Sequence, residues 1–294
     1  MHYRYCSRLF DEKQIERIRR IIGADDRPSR TEISRRVCRQ LHWLRPDGRL
    51  KDMSCRVALL RMEKDELITL PPPANGNGNG KISIPFTELS EEANPIVGNA
   101  SQLADLQLKP VLTPKQSRLW NELIARYHYL GYTPLPGAQY RYLITDGNQP
   151  LGAIGFGAAA WKMAPRDRWI GWSTSTRETN LIYVANNNRF LLLPWIRVKN
   201  LASKILAITA NQLRVDWPRR YGHQLLLLET LVETKRFAGT SYKAANWQYL
   251  GKTKGRGKLP RPNQTPLPIK DIYTYPLVKN ATKLLRQFHS NILQ

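Results

Sequence analysis

The stretch Leu225–Lys258, LLLLETLVETKRFAGTSYKAANWQYLGKTKGRGK, passes without a break from an apolar run into a basic, aromatic segment. Its first part, Leu225 to Val232, reads as a buried strand, because a short apolar run rich in branched residues suits a strand covered on both faces. Its second part is different chemistry. Eight Lys or Arg residues and no Asp or Glu lie between Lys235 and Arg261, interleaved with Phe237, Tyr242, Trp247 and Tyr249. Cations attract phosphates, and aromatic faces among them stack on unpaired bases, so this part reads as a surface for nucleic acid.

Working outward, the strand sits in an alternating pattern. Tyr140 to Thr145, the turn Asp146-Gly147-Asn148 and Leu151 to Phe156 read as a hairpin. Trp169 to Ser173 and Leu181 to Val184 read as further strands, and Asn186-Asn187-Asn188 as a turn into Arg189 to Pro194. A helix is expected from about Pro114 to Tyr129, another from Asn200 to Leu213, and a last strand at Asp271 to Leu277. The fold class expected for residues 115–294 is α/β or α+β, a mixed sheet with flanking helices.

Residues 1–70 read separately. Asp11 caps a helix carrying Ile15, Ile18 and Ile22, and Ser29 with Glu32 forms a capping box ahead of Ile33, Val37 and Leu41. A third helix from about Asp52 places Met53, Val57 and Leu60 inward, and Leu67–Leu70 reads as a short closing strand. Three helices and a terminal strand make a winged-helix-like unit, with Arg35, Arg36, Arg56 and Arg61 available to DNA; a protein-docking module has the same outline. Pro71 to Lys81, PPPANGNGNGK, opens a flexible linker over 71–114.

Charge supports a nucleic-acid partner. The chain carries +23, and residues 191–294 alone hold 18 basic against 4 acidic residues, far beyond what solubility asks. Membrane attachment would want a basic amphipathic helix or a lipidation signal, and the Gly-, Pro- and Trp-rich tail supplies neither. Three cysteines without Cys-x-x-Cys spacing argue against a disulfide framework and a zinc ribbon, so a cytoplasmic location is expected.

Several strings match a known family. Tyr127-His128-Tyr129-Leu130-Gly131-Tyr132, Arg189 to Trp195, Asn200-Leu201-Ala202-Ser203, Asp216-Trp217 and Glu229-Thr230 resemble the family typified by protein A of the Druantia anti-phage system. Phe237-x-Gly239-Thr240-x-Tyr242-x-Ala244-Ala245-Asn246-Trp247, Gly251-x-Thr253-x-Gly255-Arg256-Gly257 and Lys270-Asp271 continue the pattern. Ser29-Arg30, Cys38, Trp43, Gly48, Cys55-Arg56 and Leu70-Pro71-Pro72 extend it to the N-terminal unit. The resemblance implies a DNA-related role in phage defence or on mobile elements, where similar chains are labelled transposases. It transfers no catalytic mechanism. A second resemblance concerns fold: the element order from Arg189 onward is similar to the acyl-CoA-binding half of GNAT-type N-acetyltransferases. There the phosphate-binding turn reads Gln/Arg-x-x-Gly-x-Gly/Ala; here it reads Arg197-Val198-Lys199-Asn200-Leu201-Ala202, with Asn200 in place of the middle glycine.

The candidate chemistry follows from scarcity. Asp216, Glu229, Glu233 and Asp271 are the acidic residues of the last third. Glu229 and Glu233, four apart, share one face and could hold Mg²⁺ for strand cleavage or transfer; the alternative is burial against an arginine. Tyr242, beside Lys243 and after Arg236, has the surroundings of a nucleophile, with His128 or Asp216 for proton transfer; it equally suits a core anchor. The expected nucleic-acid contacts are Arg35, Arg36, Arg56, Arg61, Arg197, Lys199, Arg236, Lys243, Asn246, Trp247, Lys252, Lys254, Arg256 and Lys258. The chain has no Walker loop, so any helicase or nuclease activity beyond it would belong to a partner. The readings are a DNA-binding, strand-processing protein, a GNAT-like acyltransferase, and a DNA-binding adaptor that recruits a helicase or nuclease.

Overall fold

A computed structural model describes residues 2–6, 8–45, 48–73, 84–255 and 267–287. The chain divides into two compact units, Met1–Lys81 with Arg220–His223, and Ile82–Arg219 with Gln224–Gln294.

The first unit opens with an antiparallel pair, β1 (His2–Tyr5) and β2 (Arg8–Asp11), followed by α1 (Glu12–Ile22), α2 (Arg30–Gln40) and α3 (Asp52–Lys64). Asp11 caps α1 reciprocally with Gln14, and Ser29 accepts from the amide of Glu32 to start α2. Ile15, Ile18, Ile33, Val37, Leu59 and Met62 form its core. Two expectations fail here. Among the described residues Leu67–Leu70 pairs with no strand; Ile68 and Leu70 instead drop into the core from an extended segment whose amide at Leu70 is held by Glu63 at 3.0 Å. And α3 is rotated from its expected face: Cys55, Ala58, Leu59 and Met62 are buried, whereas Met53, Val57 and Leu60 are exposed. Its apolar residues surround the helix, so periodicity alone selects no face.

The second unit comprises β3 (Ile96–Asn99), β4 (Leu106–Pro110), α4 (Pro114–Tyr127), β5 (Gln139–Asp146), β6 (Gln149–Ala158), α5 (Ala164–Ile170) and α6 (Thr174–Asn180). It continues with β7 (Val184–Leu192), β8 (Ile196–Lys199), α7 (Leu201–Tyr221), β9 (Leu227–Glu233), α8 (Thr240–Ala244), β10 (Gln248–Lys252), β11 (Lys270–Pro276) and α9 (Ala281–Arg286). Seven strands form one sheet in the order β10-β11-β9-β7-β6-β5-β4, antiparallel except for the parallel pair β7 and β9. The expected mixed sheet with flanking helices is present. On β5, Arg141 faces α4 while its neighbour Tyr142 reaches Asp216 of α7, so the two helices cover opposite faces.

Residues 84–110 are structure rather than linker. β3 pairs in parallel with β8, β4 is an edge of the large sheet, and Glu122 of α4 accepts from the amide and hydroxyl of Thr87 at 3.1 and 2.8 Å. Residues 74–83, which include the Asn-Gly repeat, lie outside the described residues. Trp169 lies on helix α5 rather than a strand, where Pro165 in the first turn and Gly171 at the end delimit a single short helix. Asn186, Asn187 and Asn188 lie inside β7 rather than in a turn; the side-chain amides of Asn186 and Asn187 find partners within the sheet, which satisfies polar groups that a propensity reading sends to a loop.

Candidate nucleic-acid interface and adjoining cavity

The parallel pair at the sheet centre holds only from Val184↔Leu227 to Asn187↔Thr230, although β7 runs on to Leu192 and β9 to Glu233. The strands therefore part at their C-terminal ends, the position at which open α/β sheets present ligands. Polar side chains seal the last pairing. Tyr242 of α8 donates to Asn187 Oδ1 at 2.6 Å, the Thr230 hydroxyl donates to the Asn187 carbonyl at 3.1 Å, and Asn187 Nδ2 donates to the Gly155 and Arg189 carbonyls at 2.9 and 3.1 Å.

Glu229 is fully buried beside this seam and fully partnered. One oxygen accepts from the Ala160 amide (2.9 Å) and Asn186 Nδ2 (3.2 Å), and the other from Arg166 Nη1 (2.8 Å). Arg166, also fully buried, donates to Asp167 through Nε and Nη2 at 3.0 and 2.7 Å and to the Ala160 carbonyl at 2.9 Å. Burial alone would lower the pKa of the Arg166 guanidinium, and the charges of Glu229 and Asp167 reverse that, so it is raised. Glu233 pairs instead with Arg236 at 3.2 Å. The two glutamates share a face of β9 as expected, yet four residues of strand separate them by roughly 13 Å, too far to ligate one ion together. Among the described residues no cluster of three or more His, Cys, Asp or Glu is placed to hold a metal.

Tyr242 and Trp247 are packing residues in this geometry. Tyr242 meets Trp247 edge-on at 5.1 Å and stacks on Tyr273 at 5.9 Å, and burial raises its pKa, opposite to what a tyrosine nucleophile needs. Trp247, expected on the nucleic-acid surface, is buried against Tyr242 and Tyr275, because the turn at Asn246, with φ of 61°, folds it back beneath α8. Asn246 itself is exposed. Asp216 accepts from the Tyr142 hydroxyl at 2.9 Å, on the face of β5 opposite Arg141. His128 stacks on Tyr129, and burial together with the charge of Arg189 lowers its pKa to about 4, so the ring is neutral at physiological pH.

What the surface does bring together is Tyr129, Arg236 and Phe237. The Arg236 guanidinium lies 5.2 Å over the Tyr129 ring, Phe237 packs against that ring at 5.3 Å, and Phe237 is 49% exposed. Arg236 and Lys243 thus stand at the surface as expected, with Lys254 in the strand exit beyond; Lys252 is paired with Asp271 at 2.8 Å. Arg256 and Lys258 lie outside the described residues. On β8, Arg197 and Lys199 are exposed. In the N-terminal unit Arg35 and Arg61 are exposed, whereas Arg36 is bound to Asp26 and Glu32 and Arg56 lies 4.0 Å from Asp52.

On the α4 face of β5 to β7 lies a cavity of about 240 Å³, its walls including Ser117, Trp120, Tyr132, Arg141, Asn188 and Arg189. The sequence reading picked out none of these as a site. A β-bulge creates it: the register between β6 and β7 jumps from Gly155↔Arg189 to Phe156↔Asn187, leaving Asn188 as the extra residue, so Asn188 and Arg189 both line the cavity. At the start of α7, Asn200 takes a left-handed backbone, with φ of 62°; the strand before it, β8, is paired with β3, and Lys204 donates to the Ala100 carbonyl at 2.9 Å.

The model of the Druantia protein DruA family matches residues 61–265, and the chain belongs to that family. No curated protein matches it. Among solved structures the chain is similar to aminoglycoside acetyltransferase AAC(6')-Ib in complex with coenzyme A, at 14% identity and a TM-score of 0.40, over 62% of this chain and 100% of that one. An acetyltransferase from Thermus thermophilus matches at 14% identity and a TM-score of 0.37, over 59% and 98% of the two chains. A Salmonella typhimurium acetyltransferase that modifies the N-terminal serine of ribosomal protein L7/L12 matches at 13% and 0.37, over 59% and 95%.

Proposed function

We propose, with membership of the Druantia protein DruA family as the premise, that this chain is a DNA-binding component of phage defence that engages single-stranded DNA through its second unit. The observation that carries the reading is the exposed stack of Arg236 on Tyr129 beside Phe237. A guanidinium over an aromatic face, with a second ring open to solvent, is a platform on which an unpaired base stacks while the cation meets its phosphate. Glu233 holds Arg236 in place at 3.2 Å, and Lys235 and Lys243, both exposed on the same segment, supply the positive charge that meets phosphate. Duplex DNA offers no free base faces to such a platform, so single strands are preferred.

Strand cleavage through a Glu229 metal site is not part of this proposal, since both oxygens of Glu229 are already committed to Arg166, Ala160 and Asn186. The chain acts instead as an adaptor, and one feature of the N-terminal unit favours that role. Met53, Val57 and Leu60 form an exposed apolar stripe on α3 with Arg61 and Lys64 beside it, a face suited to an apolar, acidic segment of a partner enzyme rather than to a phosphate backbone. No described helix is long and apolar enough to cross a membrane.

The test is a titration of fluorescent single- and double-stranded oligonucleotides by anisotropy. Phe237→Ala should weaken single-strand binding by about 1–3 kcal/mol, the usual value of one stacked base, and leave the weaker duplex binding nearly unchanged. Equal loss on both substrates, or none, would overturn the platform.

A further inference from the structure

The cavity beside Arg189 has features that the surface platform does not use. None of its described lining residues is acidic, yet two guanidiniums, Arg141 and Arg189, reach it. Arg189 is 9% exposed; its Nη1 donates to the Asn188 carbonyl at 2.8 Å, and among the described residues no carboxylate pairs with it. The contrast with Arg166 is informative, because that buried cation is met by two carboxylates. A buried cation without a counter-charge is expensive, and a site that keeps one is complete only when an anion arrives. Arg141 is aimed by Asn121 at 2.9 Å and Ser117 at 3.0 Å, and lies 5.1 Å over Trp120.

Part of the wall is aromatic. Trp120, Tyr132 and Phe156 line the space, and the floor is kept thin by glycine: a Cβ at Gly155 would stand 2.9 Å from Trp120 Cζ2, and one at Gly157 would stand 2.5 Å from Asn188 Nδ2. Asn188, re-aimed by the bulge, offers a donor and an acceptor of the kind that reads a base edge. At about 240 Å³ the cavity falls below the ~300–1,000 Å³ of pockets that enclose drug-sized ligands, so it holds no more than one nucleotide, with part of that nucleotide left outside.

We propose that this cavity binds a single phosphorylated nucleoside, with its phosphate on Arg189 and Arg141 and its base among Trp120, Tyr132 and Phe156. The same chemistry is offered by a free mononucleotide and by the phosphorylated end of a DNA strand. The proposal does not depend on the Arg236 platform.

The experiment uses the full chain and calorimetric titration with deoxynucleoside 5′-monophosphates, the matching nucleosides, and short oligonucleotides bearing a 5′-phosphate or a 5′-hydroxyl. Monophosphates should bind saturably, and nucleosides at least about tenfold more weakly, the factor that 1.4 kcal/mol supplies. Arg189→Met should lose monophosphate binding by a similar factor, and the unliganded variant should melt no lower than wild type, because the cation it removes has no ionic partner. A structural arginine would give a lower melting temperature. Thr133→Trp, at an exposed position on the cavity rim, should block monophosphates without altering the fold. A preference for 5′-phosphorylated over 5′-hydroxyl oligonucleotides assigns the site to strand ends, and equal oligonucleotide binding with retained monophosphate binding assigns it to free nucleotide. Monophosphates that fail to bind wild type, or that bind both variants as well as wild type, would overturn the proposal. Phe237→Ala should leave monophosphate binding intact, which separates failure here from failure of the DNA platform.

Discussion

Glu229→Gln keeps the size of a buried side chain and removes its charge, which makes it the sharpest probe of what the carboxylate does. In the structure the variant's carbonyl oxygen can still accept from the Ala160 amide and Asn186, but its new amide donor faces Arg166 Nη1, itself a donor. Removing one partner of a buried ion pair costs about 3–5 kcal/mol. Arg166 retains Asp167 and the Ala160 carbonyl, so the low end applies, about 3 kcal/mol. For a unit of this size that corresponds to a fall of roughly 6–12 °C in melting temperature. Urea unfolding of wild type, Glu229→Gln, Arg166→Met and the double variant completes a double-mutant cycle, and the double variant should be less destabilised than the sum by about 1–3 kcal/mol. A Glu229→Gln protein within about 0.5 kcal/mol of wild type, or a cycle that closes additively, would refute the ion-pair account and return Glu229 to the candidates for metal or proton chemistry.

Tyr242→Phe deletes only the hydroxyl that donates to Asn187 and should cost about 1–2 kcal/mol in urea unfolding while leaving DNA affinity unchanged; a selective loss of a covalent protein–DNA species would restore its reading as a nucleophile. His128 titrates near 4 in the fold, below its ordinary 6.5, so its contribution to stability is complete above pH ~6.5 and is lost as pH falls toward 4. The pH dependence of the unfolding midpoint should therefore flatten between those values in His128→Gln. Gly239→Ala should destabilise by about 1–3 kcal/mol, because φ is 69° there and the added Cβ would stand 2.7 Å from Tyr273 Cζ; thermal melts that match wild type would contradict the placement of α8 on β11.

The central strands were legible because their signal is local. Leu225–Val232 is a short apolar run that no exposed element tolerates, and Asp146-Gly147 closes β5 onto β6 within a few residues. The capped helices at Asp11 and Ser29 were legible for the same reason. The Asn triplet was not, since a buried asparagine is stable in a strand only through partners distant in sequence: Glu229 is 43 residues from Asn186, and Tyr242 is 55 from Asn187. Arg166 lies 63 residues from Glu229, so the sequence exposed the need for a cation near that carboxylate without identifying it. The cavity depends on a one-residue bulge, and nothing in composition or periodicity marks which residue of Asn186-Asn187-Asn188-Arg189 is the extra one. Basic residues were legible as a class but not individually, because whether Arg36 is available or tied to Asp26 and Glu32 is a matter of tertiary contact.

The most direct test of the DNA-binding account is the salt dependence of single-strand affinity measured on the wild-type chain. Lys235, Lys243 and Lys254, exposed and outside the ion pair of Arg236 with Glu233, together neutralise about three phosphates, which predicts a slope of log K against log salt near ~−2 for single strands, with Lys243→Ala reducing its magnitude by about 0.7. A binding isotherm indifferent to salt, or no binding to single-stranded DNA at low salt, would contradict it.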